Sequence, residues 1–349
     1  MTLEILFLND APVIRRGLAS GFEDLGHRVA YFPEHLWLFP KHEQILRVQD
    51  WLEAHRAPDI VFFEGFTGVE PIFSEATELF KAHGSRFYYW AIEDPLWTHE
   101  VIGFAGGFGP YASIADHIFT TAAECVSRYI SYERPSSVLQ FGMNPRFHRP
   151  TDIDRAQAAD IVLIANDYQH RTPVLVEQMI YPALEVAQSL SLRFHIYGYG
   201  WHNWSPPSGF DDPRRGPLQY EVLPSVYSGA KIALGAEQCL NASDTQSSMR
   251  VFEAMGCGTC YLGPRHRAHE LMFSESEIVF SDGPQSTRDH LLHLLTNEPA
   301  RIDIAASGRQ RCLMEHRYEL RARHIVEVFE RAPDDSRHFR HDKGKELHN

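Results

Sequence analysis

Cysteine and long apolar runs are both scarce in this sequence of 349 residues. Five cysteines are an odd and small number, which argues against a disulfide framework and favours the reducing cytoplasm. No apolar run approaches the roughly 18 residues of a membrane span. The first residues, 1–4, lack the basic region of a signal peptide, and we expect them to lead into a first core strand.

An excess of positive charge is also missing. Acidic residues outnumber basic ones by 46 to 33, which leaves a net charge of −13 with histidine neutral. A surface of that sign repels phosphate backbones and anionic lipids, so binding to nucleic acid or to membranes is disfavoured. A local basic pocket for a small anion stays allowed. The 20 histidines are scattered, and their spacing predicts no metal site.

The composition is that of an ordinary globular protein, with 44% hydrophobic and 23% charged residues. The length predicts about two domains. Short apolar runs alternate with segments of helical length, which predicts an α/β fold with parallel sheets covered on both faces. The predicted strands are 3–8, 28–32, 59–63, 86–91, 117–120, 137–141, 160–165, 193–197, 231–235, 259–262 and 277–280, and helices are predicted over 13–25, 43–55, 71–83 and 122–132.

The predicted boundary between the two domains is the segment 142–159, which contains two prolines and several polar residues. We therefore expect one doubly wound, Rossmann-like domain over 1–148 and a second over 149–332, whose last helix can pack back on the first. The polar segment 333–349 is expected to be a flexible charged tail. Such domains face each other across a cleft at the carboxyl ends of both sheets, where folds of this kind bind ligands.

The strongest chemical signal is the segment 247–258, with the sequence SSMRVFEAMGCG. Ser247 and Ser248 stand where a helix should begin, and hydroxyls with free N–H groups at a helix N-terminus attract phosphate. The guanidinium of Arg250 can donate two parallel hydrogen bonds to the same anion. Glu253, one turn further, can accept hydrogen bonds from sugar hydroxyls. A capped surface helix with a salt bridge is the alternative that composition alone leaves open.

This string and the strand after it resemble the donor-sugar helix of GT-B-fold glycosyltransferases, and most closely that of the CgeB-like (spore-maturation protein) family. The segment 195–201 is similar to the family's strand that ends in Tyr-Gly-x-Gly-Trp. Residues 161–166 with Arg171 resemble its first C-terminal-domain strand and loop arginine, and 227–234 resembles the passage before the donor loop. The segment 89–95 resembles the acceptor half less specifically.

The resemblance implies a hexosyltransferase that moves a sugar from a nucleotide-diphosphate donor to an unknown acceptor, which can be a glycan, a protein or a small molecule. Arg171 and Arg250 would neutralise the departing diphosphate. We expect no metal and no cofactor, because Asp152 and Asp154 lie in the predicted linker and are better explained as helix caps. The residues implied for donor binding are Asn166, Arg171, Tyr197, Gly198, Gly200, Trp201, Ser247, Ser248, Arg250 and Glu253.

One departure concerns a pair of glutamates that many GT-B enzymes carry eight positions apart. The second glutamate matches Glu253, but the first falls at Thr245, which has no carboxylate. In those enzymes the first glutamate contacts the transferred sugar. The identity of the sugar and the stereochemistry of its transfer therefore stay open.

The catalytic base is expected in the first domain, among carboxylates that follow predicted strands. Such strand ends face the cleft, and a carboxylate within hydrogen-bond reach can take the proton of the acceptor hydroxyl. Glu93 and Asp94 come first, because the resemblance also covers them. Asp10 and Glu64, after the first and third strands, are the next candidates.

Two other functions remain open. A nucleotide-sugar epimerase of the same architecture would turn over the donor without an acceptor, and a non-catalytic carbohydrate- or nucleotide-binding protein of the spore-coat type would bind without turnover. An NAD site is disfavoured, because Gly198 and Gly200 lack the third glycine of the dinucleotide fingerprint. Cys257 and Cys260 have redox spacing but no second cysteine pair, which favours packed, buried thiols.

Overall fold

The computed structural model describes residues 1–33, 35–64, 74–92, 114–153, 158–167, 172–237 and 243–332. These residues form two six-stranded sheets in which all strand pairs are parallel. Helices lie between the strands along the chain. The predicted α/β class with two doubly wound domains is confirmed.

The first sheet has the strand order β2-β1-β3-β4-β5-β6. Its strands are β1 (Glu4–Phe7), β2 (Arg28–Tyr31), β3 (Ile60–Glu64), β4 (Arg86–Ala91), β5 (His117–Thr120) and β6 (Ser136–Val138). Its helices are α1 (Pro12–Arg16), α2 (Leu18–Asp24), α3 (Lys41–Ala54), α4 (Ser74–Ala82) and α5 (Ala123–Ser131), with a 3-10 turn at Leu36–Leu38. The helix predicted over 13–25 is divided at Gly17. A Cβ added to Gly17 would lie 3.2 Å from the Tyr318 ring.

The second sheet has the order β12-β11-β10-β7-β8-β9. Its strands are β7 (Ile161–Ile164), β8 (Phe194–Tyr197), β9 (Arg214–Gly216), β10 (Ile232–Leu234), β11 (Cys260–Pro264) and β12 (Val279–Ser281). Its helices are α6 (Thr172–Leu175), α7 (Tyr181–Ser189), α8 (Leu223–Ser228), α9 (Met249–Gly256), α10 (Arg267–Met272), α11 (Pro284–Thr296), α12 (Glu298–Glu315) and α13 (Tyr318–Arg331). A π-helical turn, Val176–Ile180, joins α6 to α7, and 3-10 turns occur at Trp201–Asn203 and Tyr220–Val222.

The predictions missed β9. Its sequence, Arg-Arg-Gly, has no apolar residue, because this short strand lies at the edge of its sheet. The core of the first sheet follows the alternation of a buried strand, since Ile60 and Phe62 pack on one face while Val61 and Phe63 pack on the other. Burial on both faces explains why the central strands are continuous apolar runs.

In each sheet the chain first adds strands on one side of the first strand and later adds strands on its other side. This reversal places a crevice between β1 and β3 in the first sheet and between β7 and β10 in the second. Ligands of open α/β sheets bind outside the carboxyl ends of the strands at such points. In the described residues these ends carry Asn9 and Glu64 in the first sheet, and Asn166 and Glu237 in the second. The fold therefore directs attention to these two edges.

The chain crosses between the sheets at two places that lie side by side. The Met143 N–H donates to the His316 carbonyl at 2.7 Å, and the Tyr318 N–H donates to the Met143 carbonyl at 3.0 Å. Met143 and His148 are fully buried, so the first part of the predicted linker is packed, not solvated. After the second crossing, α13 packs on α2 of the first sheet.

A membrane span would need a long and apolar helix. Among the described ranges, no helix has the length and apolar character to cross a membrane.

Candidate functional site

The site begins at the N-terminus of α9. Ser248 is the N-cap residue, and its Oγ accepts a hydrogen bond from the Arg250 N–H at 3.2 Å. Ser247 is only 1% exposed, and its Oγ lies 3.0 Å from His269 Nε2 and donates to the Ser248 carbonyl. The two predicted hydroxyls thus hold the start of the helix. Free first-turn N–H groups and an arginine beside them are groups that can donate hydrogen bonds to an anion.

Arg250 points into a pocket at the carboxyl edge of the second sheet. Met249 and Glu253 of α9 line the same pocket, together with the loops after β7 and β8. Val13 of α1 lines it from the side of the first sheet. The Arg250 Nε is buried and has no hydrogen-bond partner among the described residues. A buried donor of this kind is satisfied by a bound acceptor, since leaving it unpaired costs about 1–3 kcal/mol.

Glu253 is held by a chain of hydrogen bonds with a defined direction. The Asn144 N–H donates to His148 Nδ1 at 2.9 Å, so the histidine proton lies on Nε2. His148 Nε2 donates to the Tyr220 oxygen at 3.1 Å, and the Tyr220 hydroxyl donates to Glu253 Oε1 at 2.8 Å. Burial lowers the pKa of His148 to about 3 and raises the pKa of Glu253. The chain fixes the carboxylate without adding a positive charge beside it.

Glu253 was a candidate site residue from its sequence pattern, whereas His148 and Tyr220 were not. They lie 72 positions apart in the chain, and Tyr220 is 33 positions from Glu253. Neither residue belongs to a motif, and only the fold brings them together. A buried polar chain like this carries no local sequence signal.

The two glycines after β8 are required by close contact with the loop after β7. A Cβ on Gly198, whose φ is 149°, would lie 2.0 Å from the Ala165 carbonyl oxygen, and one on Gly200, whose φ is 87°, would lie 2.7 Å from that of Asp167. Trp201 is 2% exposed and donates its indole N–H to the same Ala165 oxygen at 2.6 Å. Through this hydrogen bond Trp201 supports Ala165, which lines the pocket.

Asn166 and Tyr197 contribute to the pocket wall. The Asn166 Oδ1 accepts from the Tyr199 N–H at 3.0 Å, which ties the two loops together. Tyr197 is 5% exposed, and its hydroxyl lies 3.5 Å from His195 Nδ1. Tyr199 is 68% exposed at the mouth of the pocket and is a flat surface on which a ring can stack. Tyr199 had no signal in the sequence beyond its place between the two glycines.

Several predicted residues lie outside the described ranges. They are Glu93 and Asp94 among the candidate bases, Arg171 on the donor side, and Asp154 of the linker pair. Asp152 is exposed, and its carbonyl accepts from the Ser225 hydroxyl at 3.1 Å. Their roles stay predictions.

At the carboxyl edge of the first sheet, the structure distinguishes the candidate bases Asp10 and Glu64. Asp10 is exposed and forms a 3.1 Å salt bridge with Arg15, whose guanidinium lies 4.0 Å from the centre of the Tyr31 ring. Glu64 is 3% exposed at the end of β3, where the side-chain amide of Asn9 donates to its Oε1. Its Oε2 is buried without a partner among the described residues, and burial raises the pKa of Glu64 to about 8.

The residues just before α9 contact the first domain. The Thr245 Oγ1 accepts from the Ala123 N–H at 2.7 Å and donates to the carboxylate of Glu124. The side-chain amide of Gln140 donates to the Thr245 carbonyl, and that of Gln246 donates to the Ile92 carbonyl, both at 2.7 Å. The N-terminus of α9 is therefore held against the carboxyl edge of the first sheet.

Within the described ranges, no group of three or more histidine, cysteine or acidic side chains is placed to hold a metal ion. Cys257 and Cys260 are buried and free. Burial raises the pKa of both thiols, that of Cys260 to about 12. Such thiols are packed side chains and not reactive ones.

The fold and the pocket define a two-domain α/β protein of the GT-B type. Residues 156–327, which hold the second sheet and its pocket, match the glycosyl transferase-like family Glyco_trans_1_2. No curated protein matches the chain in sequence.

Solved structures share the fold over nearly the whole chain. An α-glucosyltransferase in complex with UDP and a 13-mer DNA containing an HMU base has a TM-score of 0.64 at 10% identity, with 95% of this chain and 100% of that chain covered. Sucrose-phosphate synthase from Thermosynechococcus elongatus has a TM-score of 0.59 at 12% identity, with 95% and 98% covered. A protein assigned as a UDP-N-acetylglucosamine 2-epimerase from Listeria monocytogenes has a TM-score of 0.59 at 12% identity, with 96% and 98% covered.

Proposed function

We propose that this protein is a hexosyltransferase of the CgeB-like type, which transfers a sugar from a nucleotide-diphosphate sugar to a glycan, protein or small-molecule acceptor. The observation that carries the proposal is the pocket in which Arg250 offers an unpaired donor at the start of α9 while Glu253 is fixed one turn further. The match of residues 156–327 to a glycosyl transferase-like family supports the same activity.

In the reaction, the bond between the sugar carbon and the diphosphate oxygen breaks as the acceptor oxygen bonds to that carbon. Negative charge develops on the departing diphosphate, where Arg250 and the first-turn N–H groups of α9 stabilise it. Glu253 accepts hydrogen bonds from the ribose hydroxyls, and Tyr199 stacks on the base. Arg171, as the resemblance implies, adds a second positive charge.

The acceptor hydroxyl must lose a proton. Glu93 and Asp94 stay predictions for that role, and Glu64 is the buried carboxyl group on the described acceptor side. With a pKa of about 8, Glu64 would act as a base in the fraction of molecules that are deprotonated. Turnover that uses Glu64 would rise with pH and reach half of its maximum near pH 8, whereas turnover that uses a carboxylate of ordinary pKa would already be maximal at neutral pH.

The donor site is tested by the Arg250→Ala variant. Loss of a charge-assisted hydrogen bond should weaken nucleoside-diphosphate binding about ten-fold to a hundred-fold, because such a bond contributes roughly 1.5–3 kcal/mol. Isothermal calorimetry measures the change, with UDP as the first probe because solved neighbours bind it. The matched control is Arg267→Ala, which removes an exposed arginine from the first turn of α10. Equal binding by both variants would overturn the donor-site assignment.

We further propose that the reaction is independent of metal and cofactor, and that the protein works in the cytoplasm. The free cysteines described in the structure fit a reducing compartment. Addition of EDTA should leave turnover unchanged, because Arg250 and the helix N-terminus carry the leaving-group charge. If EDTA abolishes turnover and a divalent ion restores it, this part of the proposal is wrong.

Epimerisation is the second candidate, since one structural neighbour is assigned as an epimerase. An epimerase would convert the donor sugar with no acceptor present, and a binding protein would give no turnover with any donor. Product analysis by NMR with and without acceptor extracts separates the three functions.

A further inference from the structure

Thr245 completes a helix that belongs to the other domain. The residue before α5, Ala122, has no side chain that can cap the helix. The Thr245 hydroxyl takes that place from the second domain by accepting the Ala123 N–H at 2.7 Å. A hydroxyl at this position satisfies one of the free N–H groups of a helix N-terminus. The contact fixes the first turn of α5 against the start of α9.

The same contact brings a carboxylate to position 245. Glu124 is the acidic residue of the first turn of α5, and its Oε2 accepts the Thr245 hydroxyl proton. Glu124 is exposed at the surface, so the rest of its carboxylate stays open to a ligand. The first domain thus supplies a carboxylate beside Thr245, three positions before the N-cap residue Ser248 of α9.

Neighbouring bonds keep this arrangement in place. The Gln140 side chain forms two hydrogen bonds with the start of α9. Its Nε2 donates to the Thr245 carbonyl, and its Oε1 accepts from the Ser247 N–H at 3.3 Å. Gln246 donates to the Ile92 carbonyl at 2.7 Å. Thr245 and the two residues after it are therefore bonded to the first domain.

The position of the diphosphate determines where the sugar lies. If the diphosphate binds at Arg250 and the N-terminus of α9, the sugar attached to it extends towards the first domain, where the acceptor must approach. The described first-domain residues bonded to this helix start are Ile92, Ala123, Glu124 and Gln140. Of these four, only Glu124 has a carboxylate, which can accept hydrogen bonds from two or more sugar hydroxyls.

We propose that Glu124 provides, from the first domain, the carboxylate that binds hydroxyls of the transferred sugar, and that Thr245 is its positioning residue. This inference rests on the proposed function. It divides recognition of the donor between the domains: the second domain binds the nucleotide diphosphate, and the first domain recognises the sugar.

The experiment compares the affinities of UDP and UDP-glucose by calorimetry in the wild type and in Glu124→Gln. UDP affinity should stay unchanged, while UDP-glucose affinity should fall about ten-fold or more, because a charged acceptor is lost at the sugar alone. Glu78→Gln is the matched control, since it removes the same charge from an exposed position on α4 of the same domain. It should change neither affinity.

A second variant moves the carboxylate to the other domain. Glu124→Gln combined with Thr245→Glu should recover UDP-glucose affinity relative to Glu124→Gln alone, with UDP affinity again unchanged. This rescue would not occur if Glu124 only maintained the fold of the cleft.

The outcomes separate the two proposals. If the wild type binds UDP and Glu124→Gln keeps its full UDP-glucose affinity, or loses UDP and UDP-glucose affinity equally, the role of Glu124 is wrong and the transferase proposal stands. If the wild type and Arg250→Ala bind every nucleoside diphosphate and its sugar equally weakly, the proposed function fails, and the role of Glu124 fails with it.

Discussion

Glu64 shows how one buried side chain can influence both stability and chemistry. The Asn9 amide donates to one oxygen, and no described residue donates to the other. Removal from water therefore outweighs the hydrogen bond from Asn9 and raises the pKa of Glu64 from 4.5 to about 8. The folded chain binds this proton more tightly than the unfolded chain does.

The sign of the resulting pH dependence follows from linkage. Between pH 4.5 and about pH 8, the folded protein keeps the Glu64 proton while the unfolded chain has released it. The stability that this proton gives is complete below pH 4.5 and is lost as the pH rises towards 8. Glu64→Gln keeps the acceptor for Asn9 but cannot ionise.

We therefore expect Glu64→Gln to become more stable than the wild type as the pH rises from 5 to 8, by an amount on the order of a few kcal/mol. Urea unfolding at several pH values measures the difference in free energy of unfolding. Parallel pH dependences for the two proteins would show that Glu64 is not protonated in the folded state.

At the residue scale, the sequence predicted a helix with Arg250 and Glu253 on it, because residue type and local spacing carry that pattern; their donor-binding roles stay predictions. Arg250 and Glu253 follow from their places on one helix. The roles of Ser247 and Thr245 did not follow, since Ser247 is bonded to His269 and Thr245 to Glu124 across the cleft. A partner distant in the chain leaves no mark on the sequence around a residue.

At the scale of elements, the packing of α2 on α13 depends on a residue without a side chain. Gly21 lies inside α2, and a Cβ there would be 2.3 Å from the Tyr318 carbonyl oxygen. Tyr318 is the first residue of α13 and is 3% exposed. The two helices approach each other so closely that backbone contacts backbone.

Gly21→Ala should therefore destabilise the protein, although alanine in a helix is normally more favourable than glycine by about 1 kcal/mol. The overlap with a backbone oxygen cannot be relieved by a side-chain rotation, and overpacking of this kind costs about 1–3 kcal/mol. Chemical denaturation checks the sign.

The matched comparison is Gly26→Ala, where φ is +79° and nothing lies within 4 Å of the added Cβ. This second variant has backbone strain alone, about 1–2 kcal/mol. A stabilised Gly21→Ala protein would mean that the helices separate to accept the methyl group.

The strands of both sheets were predictable because burial on both faces makes them apolar, and β9 was missed because it is a short edge strand. The closeness of α2 and α13 was not predictable in this way. It depends on residues some 300 positions apart, and a glycine inside a helix pattern does not indicate which backbone approaches it.

At the scale of the whole molecule, α13 joins the domains through buried contacts. Tyr318, Ala322 and Ile325 are buried against the first domain's core. Arg321 is half-buried and donates to the Gln140 and Phe141 carbonyls, and removal from water lowers its pKa to about 10. Among the described residues, the partners of this guanidinium include the carbonyl oxygens of Gln140, Phe141 and Glu315, and no carboxylate.

A chain that ends at His316 should therefore lose the stability of its first domain, since removal of α13 exposes the apolar face that this helix covers. We expect calorimetry to show a low-temperature transition separate from the transition of the second domain. A chain that ends at Ala332 is the control and should melt as the full chain does. A single unchanged transition after removal of α13 would show that the first domain does not need it.

The pair of chain crossings at Met143 and His316 also restricts how the domains can move. Two adjacent segments bonded to each other define one axis, and rotation about that axis leaves the bonds between them intact. The bonds of Thr245 and Gln246 to the first domain must break in such a rotation. A donor that entered the opened cleft would meet the second-domain lining of the pocket, which includes Tyr199, Arg250 and Glu253, before it met Glu124. The nucleotide would then be selected at entry and the sugar only after the return rotation.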